Sequence, residues 1–120
     1  MAEFCIELLA DFTSQLQALQ NAVLDGGGSE DLAYDVRLIA SELAGNVFRY
    51  SQKKKVKICY EQVDGIATIS VYGDVAFDDC CTCPAITKDR GRGMWIIRTL
   101  DRYLGFEKKN GVVRIKLNAN

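Results

Sequence analysis

Leu32-Ala33-Tyr34-Asp35-Val36-Arg37-Leu38-Ile39-Ala40-Ser41-Glu42-Leu43-Ala44-Gly45-Asn46-Val47-Phe48-Arg49-Tyr50 is the stretch on which the fold turns. Val36, Ile39, Ala40, Leu43, Val47 and Tyr50 recur at steps of three and four, so they share one side of a helix with 3.6 residues per turn. The spacing predicts a long amphipathic helix ending near Ser51. Ser29-Glu30-Asp31 precedes it with a capping hydroxyl and two acids that complement the positive end of the helix dipole. Beyond Gln52 the period changes to two. Val56, Ile58 and Tyr60 alternate with Lys57, Cys59 and Glu61, and after Asp64-Gly65 the run Ile66 to Tyr72 is strand-like again, which predicts a hairpin.

Working outward from this core, Phe4 to Leu9 is short and apolar and reads as a strand. Asp11 or Thr13 could then cap a helix that carries Leu16, Leu19 and Val23 at helical spacing. Gly26-Gly27-Gly28 stops that helix, since three glycines do not hold helical geometry cheaply. Residues 73–90 hold Gly73, three cysteines and Pro84 with no period, and they read as a long loop. Gly91-Arg92-Gly93 closes it. Met94 to Leu104 spaces Ile97, Leu100 and Leu104 helically, and Asn110-Gly111 joins two last strands, the second alternating Val113, Ile115 and Leu117 with Arg114 and Lys116. The order strand, two helices, hairpin, loop, helix, hairpin predicts one α/β (α+β) domain over residues 1–120. The expected architecture is a two-layer sandwich, with helices on one face of a mixed, mostly antiparallel sheet.

Composition narrows the function. Of 120 residues, 48% are hydrophobic and 26% charged, and the net charge is -1. No apolar run is long enough to cross a bilayer, and no basic excess would hold a phosphate backbone, so neither a membrane nor direct nucleic-acid contact is expected. The start Met1-Ala2-Glu3-Phe4 lacks the basic and apolar segments of a signal peptide, and the expected compartment is the cytoplasm. Five cysteines are poor material for a disulfide framework and fit a reducing compartment. The chain contains no histidine. Any proton chemistry must therefore come from carboxylates, Lys, Tyr or Cys.

Two features carry candidate chemistry. At about 100° per residue, Glu42 and Asn46 point within roughly 40° of each other, at the rim of the apolar sector holding Ile39 and Leu43. An amide oxygen is a hard neutral ligand for Mg²⁺, and a neighbouring carboxylate can orient or deprotonate a hydroxyl that attacks a phosphate. The bland alternative is a pair of ordinary polar residues on a helix flank. The second feature is Arg90-Gly91-Arg92-Gly93-Met94, a glycine turn opening onto a helix, whose backbone amides and dipole make an anion site. Standing alone it would be no more than a tight turn.

Taken in order, Glu42-Leu43-Ala44-Gly45-Asn46-Val47-Phe48-Arg49-Tyr50 resembles the N-box of the GHKL, or histidine-kinase-like, ATPases. Arg90-Gly91-Arg92-Gly93-Met94-Trp95-Ile96-Ile97 looks like their later glycine box, and the hairpin at Asn110-Gly111-Val112-Val113-Arg114-Ile115 matches their usual ending. Within that superfamily the short chain with its N-terminal strand and helix is similar to the anti-sigma-factor serine kinases of bacterial partner switching. The resemblance implies a histidine-kinase-like ATPase fold, with ATP and Mg²⁺ as cofactors. It implies Glu42 as the base that activates a serine of the substrate protein and Asn46 as the magnesium ligand, with Arg90, Gly91, Arg92 and Gly93 around the phosphates. It also implies a sigma factor and a STAS-type antagonist as partners, and is compatible with a homodimer. The family's adenine-binding acid lies in a D-x-G-x-G motif. Strict register places Gly73 there, and a one-residue slip places Asp74, followed by Ala76 and Asp78 where glycines stand in the family. The alternative function is an ATP-independent binding module on the same fold. A sensor histidine kinase is disfavoured by the missing histidine, and repair or topoisomerase ATPases by the short length.

Two further clusters have ordinary readings. Cys80, Cys81 and Cys83 could bind a soft metal or sense oxidation, but free thiols are the default. Lys53-Lys54-Lys55 sits where positive charge complements the end of the long helix, although a phosphate or an acidic partner could use it. Trp95 is expected to pack in the core.

Overall fold

The computed structural model describes residues 2–9, 13–50, 55–72 and 92–120. These form β1 (Ala2–Leu9), α1 (Thr13–Asp25), α2 (Glu30–Tyr50), β2 (Lys55–Val63), β3 (Ile66–Tyr72), α3 (Arg92–Thr99), β4 (Tyr103–Lys109) and β5 (Val112–Asn118). The strands make one sheet in the order β1-β2-β3-β5-β4. Every pairing in it is antiparallel, which corrects the expectation of a mixed sheet. The reason is the count of reversals. Two successive helices between β1 and β2 return the chain to the end it left, so β2 runs back along β1, whereas a single helix would have made a parallel neighbour. Between β3 and β5 the chain passes through α3 and β4, and the β4–β5 hairpin places β5, not β4, beside β3.

The register fixes which side of the sheet is covered. Ile58 lies opposite Val71, and Val71 opposite Val113; Tyr60, Ile69 and Ile115 line up in the next row. These side chains are buried in one cluster with Leu16, Leu19 and Val23 of α1, the apolar side of α2 and Ile97 of α3. The alternate residues Glu3, Cys5, Glu7, Lys57, Tyr72 and Lys116 are exposed. Among the described residues the domain is thus a two-layer α+β sandwich with one polar sheet face.

The turns follow from local chemistry. Asp64 and Gly65 have φ of 52° and 81°, the pair of left-handed residues a two-residue hairpin needs, and Asn110-Gly111 repeats it with 54° and 77°. At the end of α1, Gly28 N–H donates to Val23 O (2.9 Å) and Gly27 N–H to Leu24 O (3.0 Å). With Gly27 at φ 95°, this is a Schellman cap.

The third helix departs from expectation. It ends at Thr99, and Leu104, read from its spacing as helical, is a strand residue and 54% exposed. A register shift between Tyr103 and Gly105 accompanies it. The Arg102 backbone explains the early stop: its carbonyl accepts from Asn118 N–H at 2.8 Å, which draws the chain into the sheet before another helical turn can form.

Candidate functional site

Helix α2 begins as its sequence dictates. Leu32 N–H donates to Ser29 Oγ at 3.1 Å, Ala33 N–H donates to Ser29 O at 2.9 Å, and Glu30 and Asp31 occupy the first turn. Leu32, Ala33, Val36, Ile39, Ala40, Leu43, Ala44 and Val47 are all buried, and that stripe holds α2 against the sheet and against α1 and α3.

Glu42 stands beside the stripe, next to buried Leu43, and is itself half-buried. Asn46 lies one turn further along the same helix. A carboxylate half out of water keeps access to a bound substrate yet sits where charge interactions are less screened than at the surface. Arg92 and Gly93 are the first two residues of α3, so the helix they open is a packing neighbour of the helix bearing Glu42 and Asn46. Asp74, Arg90, Gly91, Lys53, Lys54 and the cysteines at 80, 81 and 83 lie outside the described residues. Trp95 belongs to α3, and Lys55 opens β2 as an exposed residue.

Three arrangements were not read from the sequence. The first is a disulfide between Cys5 and Cys59, residues that the β1–β2 register places directly opposite each other. It corrects the expectation that the cysteines are poor material for disulfides, at this one pair. Among the described residues no group of three or more His, Cys, Asp or Glu side chains could hold a metal ion. The second is a polar clasp. Arg102 Nη1 donates to the carbonyls of Asn118 (3.0 Å) and Asn120 (3.3 Å), Nη2 to Ser29 Oγ (3.4 Å), and Nε lies 3.8 Å from Asp35 Oδ2. Burial raises the Asp35 carboxyl above its ordinary range; Arg102 pulls it back, while Asp31 and Asp101 push it further up. The clasp borders a cleft of about 600 Å³ that Tyr34 and Asp101 also line. The third is Tyr60, fully buried, whose hydroxyl donates to Gln62 Oε1 at 2.8 Å. Burial pushes this phenol up to about 12.

The first two carry no local sequence signature, since each joins segments remote in the chain; Tyr60 and Gln62 stand two residues apart on β2, where strand alternation puts them on one face. No protein-family model matches the chain, and no curated protein matches it. Among the described residues no helix is long and apolar enough to cross a membrane.

Proposed function

We propose that this chain is an ATP-dependent protein serine kinase of the anti-sigma-factor type, on a histidine-kinase-like ATPase fold. In this reading it sequesters a sigma factor and phosphorylates a serine on a STAS-type antagonist. The observation that carries the reading is the placement of Glu42: a half-buried carboxylate at the rim of the α2 core stripe, one turn before Asn46. Support comes from the packing of α2 against the helix that Arg92 and Gly93 open.

In this mechanism the Glu42 carboxylate accepts the proton of the substrate serine hydroxyl. The serine oxygen bonds to the γ-phosphorus of ATP, the bond from that phosphorus to the β–γ bridging oxygen breaks, and ADP leaves. Asn46 offers a neutral amide oxygen, a donor suited to a hard divalent cation. Mg²⁺ held there would supply charge neutralisation on the phosphates. Arg90, Arg92 and the amides around Gly91 and Gly93 would bind the phosphate oxygens. Asp74 would accept from the adenine amino group, giving ATP an advantage over GTP of about tenfold, because guanine offers a carbonyl at that position.

Titration calorimetry with Mg-ATP and Mg-ADP tests the binding step. Nucleotide at a hundred times its dissociation constant should add about 2.7 kcal/mol of stability. Glu42→Gln should abolish transfer to serine with nucleotide affinity nearly unchanged, whereas Asn46→Ala should weaken magnesium-dependent binding itself. Kinase activity in Glu42→Gln equal to the parent's removes the catalytic assignment. Ala76 and Asp78, standing where the family carries glycines, favour a second reading, a nucleotide-independent binding module, and absence of any nucleotide signal selects it.

A further inference from the structure

We propose that the outer edge of β1 is a docking strand, and that its occupant is an extended, lysine-rich segment of another protein that joins the sheet as a sixth strand. Among the described residues β1 pairs only with β2. The Cα atoms of Cys5 and Cys59 are 4.0 Å apart, the narrow spacing of an antiparallel pair that exchanges no backbone hydrogen bonds. The N–H and C=O of Cys5 therefore point away from β2, and by alternation so do those of Glu3 and Glu7. Gln15 confirms the direction independently, because its Nε2 donates to the Glu7 carbonyl at 2.8 Å. Among the described residues no partner meets the outward backbone groups of Glu3 and Cys5.

Charge selects the occupant. Glu3, Cys5 and Glu7 are exposed on the polar sheet face. Glu7 faces Lys57, but Glu3 faces Glu61, a like-charged pair that a cation on an added strand would relieve. A second copy of β1 fits poorly: antiparallel pairing centred on Cys5 would set Glu3 against Glu7 twice. On the helix side, a groove of about 520 Å³ opens at the start of β1, lined by Glu3 and Phe4 of β1, Tyr60 of β2, and Ala18, Ala22 and Asp25 of α1. Side chains alternate across a strand, so a segment with lysines toward the glutamates turns its other residues into this apolar groove. The disulfide anchors β1 to β2, so little of the strand's ordering remains to be done on docking.

The probe is a capped peptide of alternating lysine and valine, followed by amide hydrogen exchange and titration. Binding should slow exchange at Glu3 and Cys5 by about tenfold or more. Glu3→Lys, which relieves the clash with Glu61 and so should fold as well as the parent, should weaken the peptide by about tenfold. A peptide N-methylated on its β1-facing amides should not bind. Equal binding by the N-methylated peptide would reduce the effect to ionic adhesion and overturn the proposal. So would an unchanged exchange pattern, or sedimentation showing a dimer in which the same amides are already protected without peptide.

Discussion

At the residue scale, neighbouring glycines at the end of α1 are needed for different reasons. Gly27 has φ 95° and nothing within 4 Å of where a Cβ would stand, so Gly27→Ala should destabilise by about 1–2 kcal/mol from the backbone alone. At Gly28 a Cβ would lie 2.7 Å from Val23 Cγ1 and 2.9 Å from Val23 O. Gly28→Ala must push the cap apart, and denaturant melts should show the larger loss for this variant, about 1–3 kcal/mol. Tyr60 gives a spectroscopic prediction. Its phenol, pushed up to about 12, should ionise in an ultraviolet titration well after an ordinary phenol at about pH 10, and Tyr60→Phe should delete that late step. Because the folded state holds this proton more tightly than the unfolded chain, Tyr60's contribution to stability is complete below about pH 10 and is lost as the pH rises toward 12.

At the element scale, β1 stands on the far side of two helices from its partner strand in the sequence. Cys5 and Cys59 are 54 residues apart, and closing a loop of that length removes unfolded-chain entropy corresponding to about 4 kcal/mol in the loop-closure treatment. Reduction with a small dithiol should lower the melting temperature. It should also speed exchange across the β1 amides more than across β3, which is held between β2 and β5. Cys5→Ser should reproduce the reduced behaviour and make the melting temperature insensitive to reductant. The same element carries the proposed docking edge, so reduction should also weaken the lysine peptide.

For the whole molecule, Arg102 joins parts that are remote in sequence: the cap of α2, the entry to β4 and the last residues of the chain. Arg102→Met should destabilise by about 1–3 kcal/mol, since carbonyls and a half-buried carboxylate lose their donor. The pH dependence follows from Asp35. Its carboxyl is raised by burial, so its contribution to stability is fully present when both states are protonated and is lost as the pH rises through the folded-state value. Arg102 opposes that loss by favouring the carboxylate. Urea unfolding of Arg102→Met should therefore show its largest deficit near neutral pH and a smaller one on acidification toward the carboxylate range.

Residues close in the chain carry the features that the sequence by itself determined. Ser29 and the apolar steps from Val36 to Val47 define α2, Asp64-Gly65 and Asn110-Gly111 define the hairpins, and the change of period after Gln52 separates helix from strand. Each depends on a residue's own conformational preferences and on neighbours within one turn, which periodicity reports directly. Glu42 was legible for the same reason, because its place beside Leu43 on the rim of the stripe is a matter of helical angle. Only the tertiary structure decided the uniformly antiparallel sheet, the union of Cys5 with Cys59, the strand at Leu104 and the reach of Arg102 to Ser29, Asn118 and Asn120. Leu104 shows why: four residues after Leu100 it satisfies helical spacing, yet Asn118, supplied by a strand later in the chain, takes the Arg102 carbonyl and turns the segment into the sheet. Local pattern cannot carry such outcomes, because the competing hydrogen-bond partner is brought there by the fold itself.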